Sequence, residues 1–393
     1  MFGKKRITIC REGLYYLVVL SFIVVGAILR EINLLVVVAG MMLAPLLINI
    51  RLAIATLHRL KVTRRIPANI CAGDLLYVDV LASNARRWLA SWAVIVEDRV
   101  EWEGEAGDGN QRKVEVFVPH VGAGETKTMS YRGRLMRRGR YRFGPLRVST
   151  RFPLGLVRRT ITIDDEQSLV VFPRLGALKQ AWYALLRAEQ SGASMGRSRK
   201  GLHEGDFYGL RDWRAGDSRR WIHWRTSARR GALAVREFEQ QHEQKLAILL
   251  DLWLPDESSA EQADRVELAI SFAASVVADQ CRRGGSQLWV GTAGESAEVI
   301  HGASSPSFLQ EAMMHLALVR AASSPPLSEL LSRGLSQLRG DGRLVVVSTR
   351  PLDLRGGGRF AELRKNPQAL HALQQCLVID AGSQQLGEYF VVE

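Results

Sequence analysis

Two long apolar runs near the N-terminus constrain this chain more than any other feature. Residues 13–29 carry no charge and neither do residues 32–50, and only Arg30 and Glu31 separate them. Each run is close to the ~20 residues that a helix needs to cross a bilayer core. So short a connector predicts two antiparallel transmembrane helices, over 13–29 and 32–50, within a first region of residues 1–60.

Two alternatives to membrane helices are weaker. A cleaved signal peptide would end in a small-residue cleavage site, and none follows the first apolar run before the second begins. Buried core helices would show one apolar face, whereas apolar residues cover all sides of both runs. The membrane interpretation is therefore the one that fits the pattern.

Basic residues flank the two apolar runs on both sides. They are Lys4, Lys5, Arg6 and Arg11 before the runs, and Arg51, Arg59, Lys61, Arg64 and Arg65 after them. Because Lys and Arg beside membrane helices favour the cytoplasmic side, we expect a multi-pass protein of the cell membrane with both termini and the soluble regions in the cytoplasm. Four cysteines without paired spacing also favour a reducing compartment.

Short alternating segments separated by turn residues fill residues 61–175. Examples are LLYVDVLAS, WAVIVEDRV and KVEVFVPH. Strands of this length and spacing predict an all-β, sandwich-like domain.

A basic block lies within this β-rich region. Residues 132–159 hold ten arginines and no acidic residue, and the net charge of the chain is +13. We hypothesise that Arg137, Arg138 and Arg140 lie close to anionic lipid headgroups, where each basic residue contributes ~1 kcal/mol. The alternatives are arginines that only cover a solvated face and arginines that contact an acidic protein partner.

A segment rich in tryptophan and arginine, residues 201–242, follows a linker predicted over 176–200, in which residues 177–188 have a helical pattern. No period of 2 or 3.6 runs through the segment, so its side chains form either a binding surface or an internal brace between domains. Asp217 is predicted to cap a helix that begins near Ser218. Arg220 and Trp224 would then share one face of that helix.

Residues 243–393 alternate apolar strands with helices. The predicted strands cover 245–253, 286–291, 342–348 and 375–380, and the predicted helices cover 260–283, 306–320, 326–338 and 360–374. This alternation predicts a doubly wound, mainly parallel sheet. The fold class of the whole chain is therefore α/β plus all-β, with a helical hairpin at the N-terminus.

The tryptophan-rich segment resembles the signature of the bacterial DUF58 family. The pattern runs E-x4-G-L-R-x-W-x2-G-D-x2-R-x-I-H-W-x2-S-A-R. Its residues here are Glu204, Gly209, Arg211, Trp213, Gly216, Asp217, Arg220, Trp224 and Arg229. Residues 151–156, RFPLGL, are similar to the D-P-F-G-L stretch of the family, with Arg in place of Asp and the Phe-Pro order reversed. The resemblance implies a von Willebrand factor A-like C-terminal domain and, as partner, an AAA+ ATPase of the MoxR type.

The first strand of that C-terminal domain ends in Asp251. Von Willebrand A domains that bind a divalent ion have the pattern D-x-S-x-S here, but Trp253 and Pro255 stand at the two hydroxyl positions. Neither side chain can give the oxygen ligand that magnesium requires. Arg350, in the loop after a later strand, would also disfavour a cation. We expect no metal and no cofactor, and a displaced site beside Asp251 is the alternative.

Two common sequence motifs of catalysis are absent. The chain lacks a phosphate-binding loop and an H-E-x-x-H pair. We therefore expect a protein that is not an enzyme, but a membrane-anchored cytoplasmic adaptor that docks a protein partner. One alternative is a hydrolase or metal-dependent enzyme with a site near Asp251 and His223. Another is a nucleic-acid-binding membrane protein, although residues 160–393 hold 27 basic and 28 acidic residues and offer little positive field.

Overall fold

The computed structural model describes residues 5–104, 111–186, 207–214, 217–238, 244–337, 342–354, 373 and 376–392. The chain forms two compact units, Met1–Arg174 and Leu175–Glu393. The first unit contains two apolar helices and a β-rich domain, and the second contains the tryptophan-rich segment and a mixed α/β domain.

Helices α1 (Arg11–Arg30) and α2 (Asn33–Leu57) lie side by side in the first unit. The hydroxyl group of Tyr16 donates a hydrogen bond to the carbonyl oxygen of Met42, 2.7 Å away. Among the described residues, these two helices are long and apolar enough to cross a membrane.

Helix α2 is longer than predicted. The sequence suggested an end at Ile50, before the first charge, but the helix continues to Leu57. Its 25 residues span about 37 Å, which exceeds the ~30 Å of a bilayer core. Ala53 and Leu57 are buried, and Leu57 belongs to the core of the β-rich domain. The last turns of α2 are therefore part of that domain.

The β-rich domain consists of two sheets. The eight-stranded sheet has the order β1-β10-β9-β5-β8-β11-β3, with β6 also paired to β5, and the three-stranded sheet has the order β2-β4-β7. The strands are β1 (Lys5–Ile9), β2 (Leu60–Arg65), β3 (Ile70–Cys71), β4 (Leu75–Asn84), β5 (Ser91–Trp102), β6 (Gln111–Val121), β7 (Thr126–Arg134), β8 (Gly139–Phe143), β9 (Leu146–Thr150), β10 (Val157–Ile163) and β11 (Gln167–Phe172). All pairs are antiparallel except β3 with β11.

Alternate residues of the two sheets face each other and form shared cores. Val62 and Val80 from the smaller sheet lie in one cluster with Val96 and Val148 from the larger sheet. The β-strands predicted within 61–175 are present, in two sheets that share a core. Strand β1 was not predicted, since it precedes the two apolar helices in sequence and pairs with β10 only after the chain has returned.

A buried ion pair crosses the interior of this domain. The guanidinium group of Arg64 contacts the carboxylate of Asp98, and both side chains are fully buried. Tyr131 donates a second hydrogen bond to Asp98, with an O···O distance of 2.7 Å. Burial raises the pKa of Asp98, and the Tyr131 hydrogen bond and the Arg64 charge act against that rise. Arg64, one of the basic residues that flank the apolar runs, thus contributes no surface charge.

The second unit begins with short elements and continues into a five-stranded sheet. Its elements are β12 (Ala177–Leu178), α3 (180–186), β13 (Phe207–Asp212), a 3-10 turn (Arg219–Trp221), α4 (Trp224–Arg230), β14 (Ala234–Phe238), β15 (Gln244–Asp251), α5 (Ala260–Arg283), β16 (Ser286–Ala293), β17 (Ala297–Ala303), α6 (Pro306–Leu318), α7 (Leu327–Gln337), β18 (Arg343–Ser348), β19 (Leu377–Asp380), α8 (Gln384–Tyr389) and β20 (Phe390–Val391).

Most predicted elements of the second unit are present with shifted ends. Helix α5 has the predicted bounds, whereas the strand predicted over 245–253 ends at Asp251. Residues 177–178, predicted as helical, form a strand that pairs with β20 instead. The helix predicted over 360–374 lies outside the described residues, except at position 373. Strand β17 was not predicted.

The five-stranded sheet has the order β17-β16-β15-β18-β19. Strands β15, β16, β18 and β19 are parallel, and β17 runs antiparallel at one edge. On one face, Ala247 and Leu249 of β15 cluster with Leu330 and Leu331 of α7. The alternate residues of β15 point to the opposite face and are equally buried, and α5 also contacts this strand. Both faces of the sheet are therefore covered.

Candidate functional site

Two antiparallel strands frame the tryptophan-rich segment. In β13 and β14, Leu210 pairs with Arg236 and Asp212 pairs with Ala234, while Gly209 lies opposite Glu237 beside a register shift. The 3-10 turn and α4 lie between these strands in sequence. The predicted signature residues Glu204 and Gly216 lie outside the described residues.

Two signature residues bind each other. Arg211 donates to Asp217 through Nη1 to Oδ2 at 2.6 Å and through Nη2 to Oδ1 at 2.8 Å. The backbone N–H of Arg214 donates to the same carboxylate at 2.8 Å. A bidentate, charge-assisted pair of this kind is among the strongest hydrogen-bonded contacts in proteins. It holds Asp217 against strand β13.

The helix predicted from Ser218 with Asp217 as its cap is wrong. Ser218 itself caps one 3-10 turn by accepting from the N–H of Arg220 at 3.4 Å. Helix α4 begins later, at Trp224, and the ring nitrogen Nδ1 of His223 accepts from the N–H of Thr226 at 3.3 Å. Arg220 and Trp224 therefore do not share a helix.

Ile222 explains why the 3-10 turn and α4 do not form one continuous helix. Its side chain is buried and its backbone is extended, since it forms a β-bridge with Val235. An isoleucine held against a strand cannot continue the helical turn on either side of it. This contact joins residues far apart in sequence, so the local pattern did not reveal it.

Ser227 fastens α4 to β14, a role that the sequence did not single out. Its hydroxyl group donates to the carbonyl oxygen of His223 at 3.1 Å and accepts from the N–H of Ala234 at 2.9 Å. Gly231, with φ of 70°, then ends α4 in the left-handed conformation that favours glycine. That glycine was the available sequence signal for the end of the helix.

The outward side chains of this segment are aromatic and cationic. Trp224 is 66% exposed and Trp213 is 37% exposed. Arg220, Arg225 and Arg229 are also exposed, and the last two lie one turn apart on α4. We name Arg220, Trp224, Arg225 and Arg229 the Trp/Arg surface. A folded hairpin thus presents an indole ring beside several positive charges.

A second polar cluster lies at the carboxyl ends of the parallel strands. Asp251 ends β15 and is fully buried. Its Oδ2 accepts from Ser348 Oγ and from Arg350 Nε, both at 2.9 Å, and its Oδ1 accepts from Arg350 Nη2 at 3.3 Å. The sheet order changes direction between β15 and β18, which is where ligands of such sheets bind.

Two further hydrogen bonds link the strand-end loops. Thr349 Oγ1 accepts from the N–H of Trp253 at 2.9 Å and donates to the carbonyl oxygen of Trp253 at 2.7 Å. The carboxylate of Asp251, which a metal ion at these strand ends would need as a ligand, is already bound by the guanidinium group of Arg350. Within the ranges that the structure describes, no three His, Cys, Asp or Glu side chains are grouped to hold a metal ion. The absence of metal stays a prediction.

His315 forms a third cluster, at the end of β16. Its Nε2 lies 2.9 Å from Thr292 Oγ1, and its Nδ1 lies 3.3 Å from Glu298 Oε2. This order of hydroxyl, imidazole and carboxylate resembles that of a hydrolytic triad. However, Thr292 is only 1% exposed, so a substrate cannot reach its hydroxyl group. The cluster therefore joins α6 to the sheet.

The pKa of His315 is lowered by burial, and the carboxylates of Glu298 and Glu311 act against that change. The other histidine considered for catalysis, His223, uses its ring nitrogen to cap α4. Sequence reasoning named neither of these roles.

The basic residues assigned to lipid contact lie at one end of β5. Trp102, the last residue of β5, donates to the carbonyl oxygen of Arg138, and Arg137 stacks over its ring with 4.9 Å to the centroid. Arg138 itself is buried, whereas Arg137 and Arg140 are exposed. Arg140 also lies 4.0 Å from the carboxylate of Glu103. These placements favour neighbouring residues, not lipid, as partners of Arg138 and Arg140.

Two of the solved structures that this chain matches are distant likenesses. A β-glucosidase from Listeria innocua shares 18% identity at a TM-score of 0.20, over 28% of this chain and 16% of that one. A superoxide reductase (neelaredoxin) from Ignicoccus hospitalis shares 12% identity at a TM-score of 0.20, over 28% of this chain and 80% of that one. Scores this low carry no argument about fold or activity.

Comparison with sequences is more informative. Residues 209–339 match the family described as "Protein of unknown function DUF58". The "Uncharacterized protein YeaD" of Bacillus subtilis (strain 168) is 24% identical over 239 residues, which are 59% of this chain and 57% of that protein. This chain thus spans little more than half the length of the curated relative that it matches. Both findings agree with the signature from Gly209 to Arg229, and they show a DUF58 region over residues 209–339 of this chain.

Proposed function

We propose that this protein is a membrane-anchored scaffold that holds a protein partner at the cytoplasmic face of the cell membrane. The observation that carries the proposal is the Trp/Arg surface. An indole group that is 66% exposed lies on a hairpin in which Arg211, Asp217 and Ser227 are held by hydrogen bonds. Aromatic and arginine side chains are the residues most enriched at the energetic centres of protein interfaces.

Charge indicates the chemistry of the partner. The exposed side chains of the Trp/Arg surface add three positive charges and no negative one. A partner with an acidic face would associate quickly and in a fixed orientation, because opposite potentials steer the encounter. We propose an AAA+ ATPase of the MoxR type as that partner, which the family resemblance implies.

The membrane part of the proposal is supported by α1 and α2. Both helices have the length and apolar composition of membrane spans. Arg11 is the first residue of α1, and Arg59 and Lys61 follow α2, so basic residues lie on the side where α1 begins and α2 ends. Under the positive-inside rule, a multi-pass anchor with both termini and both soluble parts in the cytoplasm follows.

The C-terminal part of the proposal is a von Willebrand factor A-like domain. Its support is the sheet order, with β15 at the centre, and the position of Asp251 at the carboxyl end of that strand. In this proposal the domain positions the Trp/Arg surface, and its strand-end cluster is closed by the ion pair between Asp251 and Arg350.

A binding experiment with the full-length protein in detergent tests the docking role. A purified MoxR-type ATPase is added to immobilised wild type and to the double variant Arg220→Ala/Trp224→Ala. We expect capture of the ATPase by the wild type and at least a tenfold loss with the double variant. The thermal midpoint of the variant should stay close to that of the wild type, since both side chains are exposed.

The matched control is Arg282→Ala/Trp88→Ala, which removes one exposed arginine and one exposed tryptophan elsewhere. It should bind like the wild type. Equal capture by all three proteins, or no capture by the wild type, would contradict the proposed docking. Unfolding of the Arg220/Trp224 variant would instead assign these residues to an internal brace between domains.

One alternative function has a specific observation behind it. Asp251 is buried at the strand ends where α/β sheets bind ligands, which favours an enzyme or metal site there. Calorimetric titration with Mg²⁺ or Mn²⁺ distinguishes the cases. A stoichiometric signal in the wild type that disappears in Asp251→Asn would establish the metal site, whereas we expect no saturable heat from either protein.

A further inference from the structure

The loop between β9 and β10 contacts the first turn of α1. The N–H of Cys10, which precedes α1, donates to the carbonyl oxygen of Leu156 at 3.0 Å. A Cβ atom on Gly13 would lie 2.1 Å from the same oxygen, so only glycine permits this approach. Loop 151–156 is therefore fixed at the level where α1 begins.

Helix α2 meets the other side of the same loop. Asn49 is fully buried and its Oδ1 accepts from the N–H of Val157 at 3.1 Å. Antiparallel packing brings this part of α2 level with the start of α1, as the contact between Tyr16 and Met42 shows. The start of α1 and the end of the apolar run of α2 therefore lie level with residues 151–157.

Exposed apolar side chains lie around residues 151–157. Ile9, at the end of β1, is 57% exposed, Leu154 is 53% exposed and Trp92 is 46% exposed. The Trp92 ring stacks on Phe152 of the loop, with ring centroids 6.0 Å apart and an interplanar angle of 17°. Arg151 is exposed beside them. An indole, aliphatic side chains and a guanidinium group form the composition that occurs at membrane–water interfaces.

We propose that Ile9, Trp92 and loop 151–156 form a lipid-contact surface, which lies in the headgroup region of the bilayer that α1 and α2 cross. The argument is continuity, because the surface begins where the apolar surface of the two helices ends. It rests on the membrane anchoring proposed above. Apolar groups that would be exposed to water are instead buried in the interface, which orients the β-rich domain on the membrane.

Strand β5 supplies an internal reference for distance. Trp92 lies near its start and Trp102 is its last residue, so the two indoles are separated by about 33 Å along the strand. Trp102, with Arg137 and Arg138 beside it, is then distant from the surface formed by Trp92 and loop 151–156. The lipid surface is therefore at the opposite end of β5 from the basic residues for which the sequence suggested lipid contact.

Tryptophan fluorescence can test this directly. The nine tryptophans begin at Trp88, so none lies in α1 or α2. Full-length protein is placed in nanodiscs made of phosphatidylcholine brominated at carbons 6 and 7, whose bromine atoms quench nearby indoles. Trp88 is 91% exposed near the start of β5, so Trp88→Phe serves as the background that isolates Trp92.

In this background, we expect Trp92→Phe to remove at least half of the lipid-dependent quenching. The matched control Trp102→Phe should leave that quenching unchanged. Leu154→Glu, which keeps Trp92 but places a charge at the tip of the loop, should reduce the quenching by at least a third.

Two results would overturn the inference, and they are distinguishable. If the protein enters nanodiscs but Trp92→Phe and Trp102→Phe change the quenching equally, the lipid surface is wrong and the anchor stands. If the protein does not enter nanodiscs, the anchor itself is wrong and the lipid surface falls with it.

Discussion

Arginine has opposite roles in the interior of the β-rich domain and on the Trp/Arg surface. In the β-rich domain, Arg64 and Arg86 are buried. Arg86 donates to the carbonyl oxygens of Ala55 and Thr56 and so closes the end of α2. On the Trp/Arg surface, Arg220 and Arg229 are exposed to solvent. Burial, not the number of arginines in a stretch, separates those that hold the fold from those available to a partner.

The largest effect is expected at the buried pair. Arg64→Met leaves the carboxylate of Asp98 buried without its cation, which costs about 3–5 kcal/mol. Urea unfolding of the detergent-solubilised protein, followed by circular dichroism, measures the loss. The control is Arg65→Met on the same strand, which is exposed. A loss below about 1 kcal/mol for Arg64→Met would contradict the distinction between buried and exposed arginines.

An intermediate effect is expected at the signature pair. Arg211→Ala removes two charge-assisted hydrogen bonds to Asp217 and should cost about 1–3 kcal/mol in the same assay. Arg214→Ala, nearby and exposed, should change little, because it is the backbone N–H of Arg214 that binds Asp217. Equal effects of the two substitutions would show that the Arg211 pair is dispensable for the fold.

A smaller, pH-dependent effect is expected at His315. Burial lowers its pKa below the ordinary value of 6.5, so the unfolded chain binds a proton more readily than the folded one. The contribution of neutral His315 to the free energy of unfolding is fully present above pH 6.5 and is lost as the pH falls through the lowered pKa. His315→Gln should therefore lose less stability than the wild type between pH 7 and pH 5. Parallel losses in both proteins would refute this assignment.

The smallest effect on stability is expected on the Trp/Arg surface. Arg229→Ala should change the free energy of unfolding by less than about 0.5 kcal/mol, as for other exposed substitutions. Its effect on capture of the ATPase should be measurable all the same. A large loss of stability would show that Arg229 supports the fold as the buried arginines do, which would contradict the distinction between buried and exposed arginines.

The sequence predicted those elements whose signals are local. The bounds of α5 follow from Ser259, which forms a capping box with Gln262, and from Gly284 after its last residue. The apolar runs likewise predicted α1 and most of α2. The Arg211–Asp217 pair could also have been predicted from the sequence, since both residues belong to the signature and carry opposite charges six positions apart.

The elements that were missed depend on contacts between distant residues. Ile222 interrupts the predicted helix because Val235 holds it in a bridge. Helix α2 continues beyond Arg51, its first charged residue, because Ala53 and Leu57 are buried in the β-rich domain. Arg138 is buried although its neighbours Arg137 and Arg140 are exposed. No periodicity in a single segment contains that information.

Strand β1 has a consequence for the order of biosynthesis. It precedes α1 and α2 in the chain, but its partner β10 lies beyond both helices and most of the β-rich domain. The ribosome must therefore add some 150 residues after β1 before this strand can pair with β10. Both apolar helices are therefore synthesised before the domain can be completed, so in the proposed anchoring their insertion into the membrane precedes closure of the sheet.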